Sequence, residues 1–207
     1  MIAFSTMSVD GRIWSPGIER ISCPYDLRRL HSLRASSDAV MVGATTVIVD
    51  DPLLTVRLVE GANPLRVVVD GLLRSPLRSR VFDVSDAPTL VLTTASAPRG
   101  KVEALRRAGV EVVELGPGPR IDMRAALETL RDLGVRNVLV EGGGTLTWGL
   151  LSSGLVDELR VTMSPIGLGR GASLLEGAGP PVRLELVSYE LCECGQELHI
   201  IYRPSLG

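Results

Sequence analysis

Residues 138–146 read VLVEGGGTL, a short apolar run followed by a glutamate, three glycines and the start of a second apolar segment. The first run is typical of a buried strand, and residues 146–152 favour a helix that Gly154 ends. Glycines without Cβ atoms let backbone N–H groups approach a phosphate, and a helix N-terminus adds partial positive charge there. The stretch therefore predicts an α/β fold with an anion-binding turn, or alternatively a plain strand-to-helix turn.

The spacing of the glycines does not match a known nucleotide-binding motif. It matches neither the Gly-x-Gly-x-x-Gly fingerprint of dinucleotide-binding folds nor the Gly-Lys-Ser/Thr of a nucleoside-triphosphate loop. Glu141 heads the turn, and a phosphate would repel its carboxylate. We therefore expect Glu141 to face a cationic or hydrogen-bond-donating part of a substrate, such as a ring amine, or to act as a helix-capping carboxylate.

Outward from this turn, strand and helix patterns alternate along the chain. Strands are predicted at residues 2–9, 39–42, 65–70, 89–93, 110–115, 137–140, 158–163, 183–191 and 197–203. Helices are predicted at residues 24–34, 43–50, 101–108, 123–133 and 146–152, and an exposed loop at 13–22. Because parallel βα units come first and an antiparallel hairpin ends the chain, we expect a single mixed-sheet α/β domain over residues 1–207.

The composition excludes several classes of function. The 207 residues include 22 basic and 24 acidic side chains, a net charge of −2, so no general basic field favours nucleic acid or an anionic membrane. No apolar run reaches the roughly 20 residues of a membrane span. The N-terminus lacks basic residues before its apolar run and predicts a strand rather than a signal peptide, so we expect a cytoplasmic protein.

The cysteines Cys23, Cys192 and Cys194 have an odd count and no disulfide-framework spacing, which fits a reducing compartment. Cys192 and Cys194 are expected on one face of a strand, in packing roles. With His31 and His199 as the only histidines, we predict no metal site. The sequence also lacks a Gly-x-Ser-x-Gly elbow and a zinc-deaminase motif, so the chemistry is expected to come from a bound cofactor.

Residues 43–57, GATTVIVDDPLLTVR, carry a second group of polar side chains. Thr46 and Asp50 are spaced i, i+4, so a helix places them on one face. Threonine can donate to phosphate or ribose, and aspartate can accept from a sugar hydroxyl. Arg34 and Arg57 are candidates for a bidentate grip on a phosphate, with solvated surface positions as the alternative.

Three further loops have open interpretations. Residues 7–12, MSVDGR, form a strand and tight turn whose role is either structural or functional. Residues 167–171, GLGRG, form either an anion nest or a mobile loop. Thr94, Ser96 and Arg99 offer donors for a ribose 2′-phosphate or lie in a solvated loop.

Taken together, four stretches of this chain resemble the riboflavin-biosynthesis reductase family, the reductase half of the bacterial bifunctional deaminase-reductase. The matching stretches are residues 7–12 (MSVDGR), 20–22 with 26–34 (RIS and DLRRLHSLR), 38–57 (DAVMVG through DDPLLTVR), and 140–146 with 154–159 (VEGGGTL and GLVDEL). The resemblance covers nearly the whole chain, and its third and fourth stretches are specific to the family.

The resemblance implies a dihydrofolate-reductase-like fold, NADPH as cofactor with NADH as the alternative, a homodimer, and a phosphorylated small-molecule substrate. Members of the family reduce the ribosyl group of a phosphoribosylaminopyrimidine to a ribityl chain. The lack of a deaminase half and residues 20–22 (RIS) look more like the archaeal and fungal stand-alone enzymes, which implies 2,5-diamino-6-ribosylamino-4(3H)-pyrimidinone 5′-phosphate as substrate. The alternatives are 5-amino-6-(5-phosphoribosylamino)uracil, another small pterin- or pyrimidine-like substrate, or a non-catalytic nucleotide-binding module.

The same resemblance assigns site residues. The cofactor would contact Thr46, Asp50, Gly71, Gly143, Gly144, Thr145 and Leu146. The substrate would be held through its phosphate by Ser22, Arg34 and Arg57, and elsewhere by Asp50, Leu54 and Glu141. Asp50 is the candidate catalytic residue, steering the hydroxyls of the opened sugar or relaying a proton. Phe4 departs from the Lys or Asn usual at this position of the first strand, which leaves the identity of the pyrimidine ring open.

Overall fold

The computed structural model describes residues 1–205, and these residues form two compact units. The terminal unit consists of residues 1–33 together with the chain from residue 139 onward, and the middle unit consists of residues 34–138. The expectation of one domain over residues 1–207 stays a prediction.

The described residues contain five α-helices and eleven strands, with a single 3-10 turn at Arg80–Phe82. The helices are α1 (Pro24–Ala35), α2 (Ala44–Asp50), α3 (Arg99–Arg107), α4 (Met123–Asp132) and α5 (Gly144–Ser152). The strands are β1 (Ile2–Ser8), β2 (Arg12–Trp14), β3 (Ala39–Gly43), β4 (Leu65–Val69), β5 (Thr89–Thr93), β6 (Glu111–Glu114), β7 (Val138–Val140), β8 (Glu158–Ser164), β9 (Ala172–Ser173), β10 (Leu184–Leu191) and β11 (Leu198–Pro204).

In the terminal unit the strand order is β10-β11-β8-β1-β7. Strand β1 runs parallel to both β7 and β8, whereas β11 runs antiparallel to β8 and to β10. The predicted antiparallel C-terminal hairpin is therefore confirmed. A second, two-stranded sheet pairs β2 with β9, and two residues of β2, Ile13 and Trp14, fall inside the predicted loop at residues 13–22, so that part of the loop prediction was wrong.

In the middle unit, strands β3-β4-β5-β6 are parallel neighbours in sequence order. The apolar residues of β3 and β5 are fully buried, as expected of parallel strands that are covered on both faces. Helix α4 begins at the predicted cap, where the Asp122 carboxylate accepts a hydrogen bond from the Arg124 N–H at 2.9 Å. The α/β class with mostly parallel strands, flanking helices and an antiparallel end is confirmed.

The sequence prediction was wrong about the two late cysteines. Cys192 and Cys194 do not lie on a strand but in the turn at residues 192–197 that joins β10 to β11. The turn is closed by hydrogen bonds from Cys192 N–H to Glu197 O and from Gly195 N–H to Cys192 O, both 2.8 Å long. Gly195 has a φ of 72°, a backbone conformation in this turn that suits glycine.

No helix within residues 1–205 combines the length and the apolar character that crossing a membrane requires.

Candidate functional site

Two arginines of the middle unit meet at one backbone oxygen. Arg34, in the last turn of α1, donates from Nη1 to the Thr55 carbonyl oxygen at 2.9 Å. Arg57 donates from Nη1 to the same oxygen at 3.2 Å and to Thr55 Oγ1 at 2.6 Å. Arg34 is 6% exposed, whereas Arg57 is exposed. Two guanidinium groups held this close form a concentrated positive charge suited to a phosphate or carboxylate.

The segment that carries Arg57 has an irregular backbone. Asp51 and Leu54 have positive φ angles of 40° and 57°, a region that side chains with a Cβ rarely adopt. The buried Arg66 guanidinium holds this segment by donating to the Leu53 carbonyl at 3.4 Å, and Arg80 N–H donates to Asp51 Oδ1 at 2.8 Å. Strained non-glycine residues kept in place by such contacts are common at functional sites.

Leu54, predicted to contact substrate, is 1% exposed and belongs to the core of the middle unit. Its positive φ instead sets the direction of the chain just before Thr55, the acceptor that both arginines share. Leu54 thus positions the arginine pair through the backbone.

Thr46 and Asp50 both lie on the short helix α2, as the i, i+4 spacing predicts. Asp50 is its last residue, and the following Asp51 ends the helix in the left-handed conformation. Although the Asp50 residue is exposed, burial of its carboxyl group against the protein raises its pKa above the ordinary value. A carboxyl group that holds its proton more readily is suited to exchange protons with a bound substrate.

Gly71, expected to contact the cofactor, is a point of close packing. A Cβ at this position would lie 2.2 Å from the Pro119 carbonyl oxygen. The Gly71 carbonyl accepts a 2.7 Å hydrogen bond from Thr94 Oγ1. In the same region Ser96 Oγ donates to the Pro117 carbonyl at 2.7 Å, and Arg99 Nη1 pairs with Glu114 at 2.8 Å. Of these donors, Ser96 holds the loop at residues 116–119, whereas Thr94 bonds to Gly71 and Arg99 to the end of β6.

The glycine turn lies in the terminal unit, between β7 and α5. Gly142 has a φ of 89°, which explains the need for glycine at this position. A Cβ on Gly144 would lie 2.3 Å from the Ser173 carbonyl oxygen, so this glycine is required for close packing. Helix α5 begins at Gly144, which places Gly143, Thr145 and Leu146 at its N-terminus as predicted, with Thr145 exposed.

The other predicted substrate contacts of the terminal unit are Ser22 and Glu141. Both residues are half-buried, Ser22 in the bend just before α1 and Glu141 directly after β7. Phe4, by contrast, is 5% exposed and part of the core of this unit. Phe4 therefore offers no polar contact to a ring.

The glycine-rich loop at residues 167–171 holds an anion from its own chain. Asp10 Oδ1 accepts from Leu168 N–H at 2.9 Å, and Asp10 Oδ2 accepts from Gly169 N–H at 2.7 Å. Ser8 Oγ donates to Asp10 at 2.6 Å. The hydrogen bond from Leu168, followed by that from Ser8, lowers the pKa of Asp10 to about 2. The loop is thus an anion nest for Asp10, and residues 7–12 have a structural role.

The three cysteines, for which the sequence predicted no shared site, lie near one another in the terminal unit. Cys23, just before α1, lies with its Sγ 3.5 Å from the Sγ of Cys192, and all three cysteines are free thiols. Burial raises the pKa of the Cys23 thiol to about 12. The turn between β10 and β11 thus brings Cys192 to Cys23, a residue 169 positions away in the sequence.

The predicted site residues are divided between the two units. The middle unit carries Arg34, Thr46, Asp50, Leu54, Arg57 and Gly71. The terminal unit carries Ser22, Glu141, Gly143, Gly144, Thr145 and Leu146. Sequence reasoning missed Thr55, although its position two residues before Arg57 was a usable signal. It also missed Asp10 as the occupant of the nest, for which no local signal exists.

Known proteins resemble this chain along most of its length. The family described as the RibD C-terminal domain matches residues 1–199. The 2,5-diamino-6-ribosylamino-4(3H)-pyrimidinone 5′-phosphate reductase of Methanothermobacter thermautotrophicus is 42% identical over 214 residues, which cover 98% of this chain and 96% of the relative. The protein of the same name from Archaeoglobus fulgidus is 44% identical over 174 residues, or 78% of each chain.

A solved structure of RibD from Acinetobacter baumannii is similar with a TM-score of 0.82 at 26% identity, over 99% of this chain and 57% of that one. This chain therefore spans little more than half the length of that RibD. The similarity confirms the expected dihydrofolate-reductase-like fold class.

Proposed function

Because the chain belongs to the RibD C-terminal domain family, we propose that it reduces the ribosyl group of 2,5-diamino-6-ribosylamino-4(3H)-pyrimidinone 5′-phosphate to a ribityl chain, with NADPH as the reductant. The observation that carries the proposal is the convergence of Arg34 and Arg57 on Thr55. Relatives named for this phosphorylated substrate cover most of the chain. The guanidinium groups of Arg34 and Arg57 would bind the phosphate of this substrate.

The arginine pair would grip the 5′-phosphate. Arg34 is buried and fixed through Thr55, so it supplies a preorganised charge. Arg57 is exposed, and its guanidinium group is held beside the same acceptor by hydrogen bonds to Thr55 O and Thr55 Oγ1. Ser22 would add a hydroxyl donor. Charge-assisted, bidentate hydrogen bonds of this kind fix both the position and the orientation of a phosphate.

The glycine turn would receive the pyrophosphate of the cofactor. Gly142 is buried, yet among the described residues no heavy atom beyond its immediate neighbours lies within 4 Å of where its Cβ would be. Open space beside a buried glycine, followed by the N-terminus of α5, fits an anion that approaches the backbone closely. The other cofactor contacts would be Thr46, Asp50, Gly71 and the residues from Gly143 to Leu146.

The reaction needs hydride at the ribose C1 carbon and a proton at the attached nitrogen. A bound dihydronicotinamide supplies the hydride. The ribosylamine first opens to an imine, and reduction of its C=N bond consumes one hydride and one proton. The protein's task is to hold the reacting carbon atoms about 3–3.5 Å apart. Asp50, whose carboxyl pKa is raised by burial, would orient the hydroxyls of the opened sugar or relay the proton.

Glu141 would recognise the pyrimidine ring. It directly follows β7 and is half-buried, and a carboxylate there can accept hydrogen bonds from ring amino groups. Phe4 is buried and offers no such hydrogen bond, so Glu141 rather than Phe4 would bind the polar groups of the ring. A diamino ring provides more donors to a carboxylate than a uracil ring, which favours the diamino substrate.

We further propose a cytoplasmic homodimer. Strand β10 lies at the edge of the strand order in the terminal unit and exposes Leu186, Val187, Leu191 and Tyr189, the last at 70%. An apolar edge strand of this length is usually covered by a partner. The three free thiols fit a reducing compartment. Sedimentation equilibrium that gives the mass of one chain would overturn the dimer.

The experiment that separates the alternatives is a substrate panel. The purified chain is mixed with each phosphoribosylaminopyrimidine, its dephosphorylated form, or dihydrofolate, and the loss of NADPH or NADH absorbance is followed. We expect turnover of the phosphorylated diamino compound with NADPH, and much slower turnover without the phosphate. Preference for the aminouracil would change the substrate, and nucleotide binding without any turnover would indicate a non-catalytic module.

A further inference from the structure

The three cysteines of the terminal unit converge with one glutamate. Cys23 precedes α1, whereas Cys192, Cys194 and Glu197 belong to the turn between β10 and β11. One ligand atom from each, three sulfurs and a carboxylate oxygen, lie within 4.8 Å of one another. This is the size of a cluster that surrounds a single metal ion.

The sulfur–sulfur distance fits shared coordination. Cys23 Sγ and Cys192 Sγ are 3.5 Å apart. A disulfide bond would be about 2.05 Å long. Sulfurs placed at about 2.3 Å from a tetrahedral zinc ion lie roughly 3.8 Å from each other. The observed separation is therefore close to that of two thiolates on one zinc ion and far from that of a disulfide.

Glu197 provides an independent observation. Its side chain is 3% exposed, and Oε1 accepts a 2.7 Å hydrogen bond from the Cys23 N–H. Its second oxygen, Oε2, is buried and has no hydrogen-bond partner among the described residues. An unpaired buried carboxylate oxygen is costly, so a site of this kind calls for a cation beside it.

Backbone hydrogen bonds support the side chains of this cluster. Asp26 N–H donates to Cys23 Sγ at 3.4 Å, which stabilises negative charge on the sulfur. The hydrogen bonds within the turn, from Cys192 N–H to Glu197 O and from Gly195 N–H to Cys192 O, fix Cys192 and Glu197 relative to each other. Such supporting contacts around the ligands are typical of metal sites.

A neighbouring set of possible ligands is less suitable. Asp26, Glu197 and His199 also have ligand atoms within 4.8 Å of one another. Both carboxylate oxygens of Asp26, however, accept 2.6 Å hydrogen bonds, one from Thr6 and one from Thr162. Asp26 therefore has its partners within the protein, and the sulfur-rich set is the better ligand set.

We propose that Cys23, Cys192, Cys194 and Glu197 bind one zinc ion. Soft thiolate ligands together with one carboxylate select zinc over magnesium or calcium. Binding converts three thiols to thiolates and releases their protons to water. Four protein ligands close the coordination shell, so the ion is structural and ties the start of α1 to the C-terminal hairpin. The proposal is independent of the reaction assigned above.

The test measures metal content and its spectroscopic signature in the full chain, purified with reductant and without an affinity tag that binds metal. We expect about one zinc ion per chain by elemental analysis. Exchange for Co²⁺ should give thiolate-to-metal charge-transfer absorption and the visible bands of a tetrahedral ion. Added zinc should raise Tm, because it binds the folded state.

Variants locate the ion. Cys194→Ser changes a half-buried ligand, and Glu197→Gln removes the carboxylate charge at nearly constant volume. Both are expected to lower zinc affinity at least tenfold and to change the Co²⁺ spectrum. The matched control, Glu193→Gln, changes an exposed residue of the same turn. It should leave the zinc affinity and the Co²⁺ spectrum unchanged.

Three outcomes would overturn the proposal. The first is wild-type chain without stoichiometric zinc and without a Co²⁺–thiolate band. The second is an intact mass two daltons lower than that of the reduced chain, which would mean a disulfide. The third is zinc binding that Cys194→Ser and Glu197→Gln leave as strong as in the Glu193→Gln control, which would place the ion elsewhere.

Discussion

Arg34 and Arg57 donate hydrogen bonds to the same atom, the carbonyl oxygen of Thr55, at 2.9 and 3.2 Å. Like charges repel, so this arrangement is maintained by the backbone that carries Thr55 rather than by the arginines themselves. That backbone has an unusual φ of 57° at Leu54. The backbone at Leu54 and Thr55 thus fixes the positions of both guanidinium groups.

Replacing Arg57 tests the phosphate grip. Arg57→Ala should raise KM for the phosphorylated substrate by about 10- to 100-fold, since a hydrogen bond to a charged group contributes about 1.5–3 kcal/mol. The affinity for NADPH should change little. Arg78→Ala, which removes an exposed arginine of the same unit, is the control. Equal effects of the two variants on KM would rule out a specific phosphate contact.

Replacing Asp50 with asparagine should raise the stability of the chain at neutral pH and lower its activity. Burial raises the pKa of Asp50 in the folded chain above its value in the unfolded chain. The contribution of Asp50 to stability is therefore fully present at a pH below the unfolded pKa, where the carboxyl group is protonated. It is lost as the pH rises through the folded pKa. At neutral pH the ionised Asp50 is therefore destabilising, and Asp50→Asn should raise Tm there but not near pH 3.

The same variant should lower kcat by about 100-fold if Asp50 orients the sugar or relays a proton. Thermal unfolding at the two pH values and steady-state kinetics check both parts. Unchanged kcat in Asp50→Asn would remove Asp50 from the reaction.

Two glycines of helix α5 should respond oppositely to alanine. Gly144→Ala places a Cβ 2.3 Å from the Ser173 carbonyl and should destabilise the chain by about 1–3 kcal/mol. A Cβ on Gly149 meets no atom within 4 Å among the described residues, so Gly149→Ala should stabilise by about 0.5–1 kcal/mol. Denaturant unfolding measures both. A similar loss in the two variants would contradict the close packing of Gly144.

The nest around Asp10 predicts a pH-dependent stability. Its pKa of about 2 lies below the ordinary value, so its contribution is present above the unfolded pKa and is lost as the pH falls toward 2. Asp10→Asn should lower Tm at pH 6, and the difference from the wild type should shrink as the pH approaches 2. A difference that stays constant over this range would show that the Asp10 charge has no role.

Much of the fold follows from local patterns. The apolar runs of β3 and β5 and the Asp122 cap of α4 are encoded within a few residues, and the resemblance to the reductase family is confirmed. The pairing of β2 with β9 joins Arg12 to Ser173. A contact between residues so far apart in the sequence cannot be predicted from a local pattern. Cys192 was misplaced because a turn interrupts an otherwise strand-like sequence.

The candidate site shows the same limit. Residue types and spacing indicated Arg34 and Arg57, but their common acceptor, Thr55, depends on the backbone path of residues 51–57. The anion nest at residues 167–171 was recognised as one possibility, whereas Asp10 as its occupant required the folded chain. Cys23 and Glu197 are likewise joined only by tertiary structure.

The most direct measurement of function follows NADPH oxidation by the purified chain with 2,5-diamino-6-ribosylamino-4(3H)-pyrimidinone 5′-phosphate and determines the product by mass spectrometry. The expected result is one NADPH oxidised for each substrate consumed, with a product two hydrogens heavier that carries an open ribityl chain. Turnover of dihydrofolate alone, or NADPH binding with no reduction of either phosphoribosylaminopyrimidine, would contradict the proposed reaction.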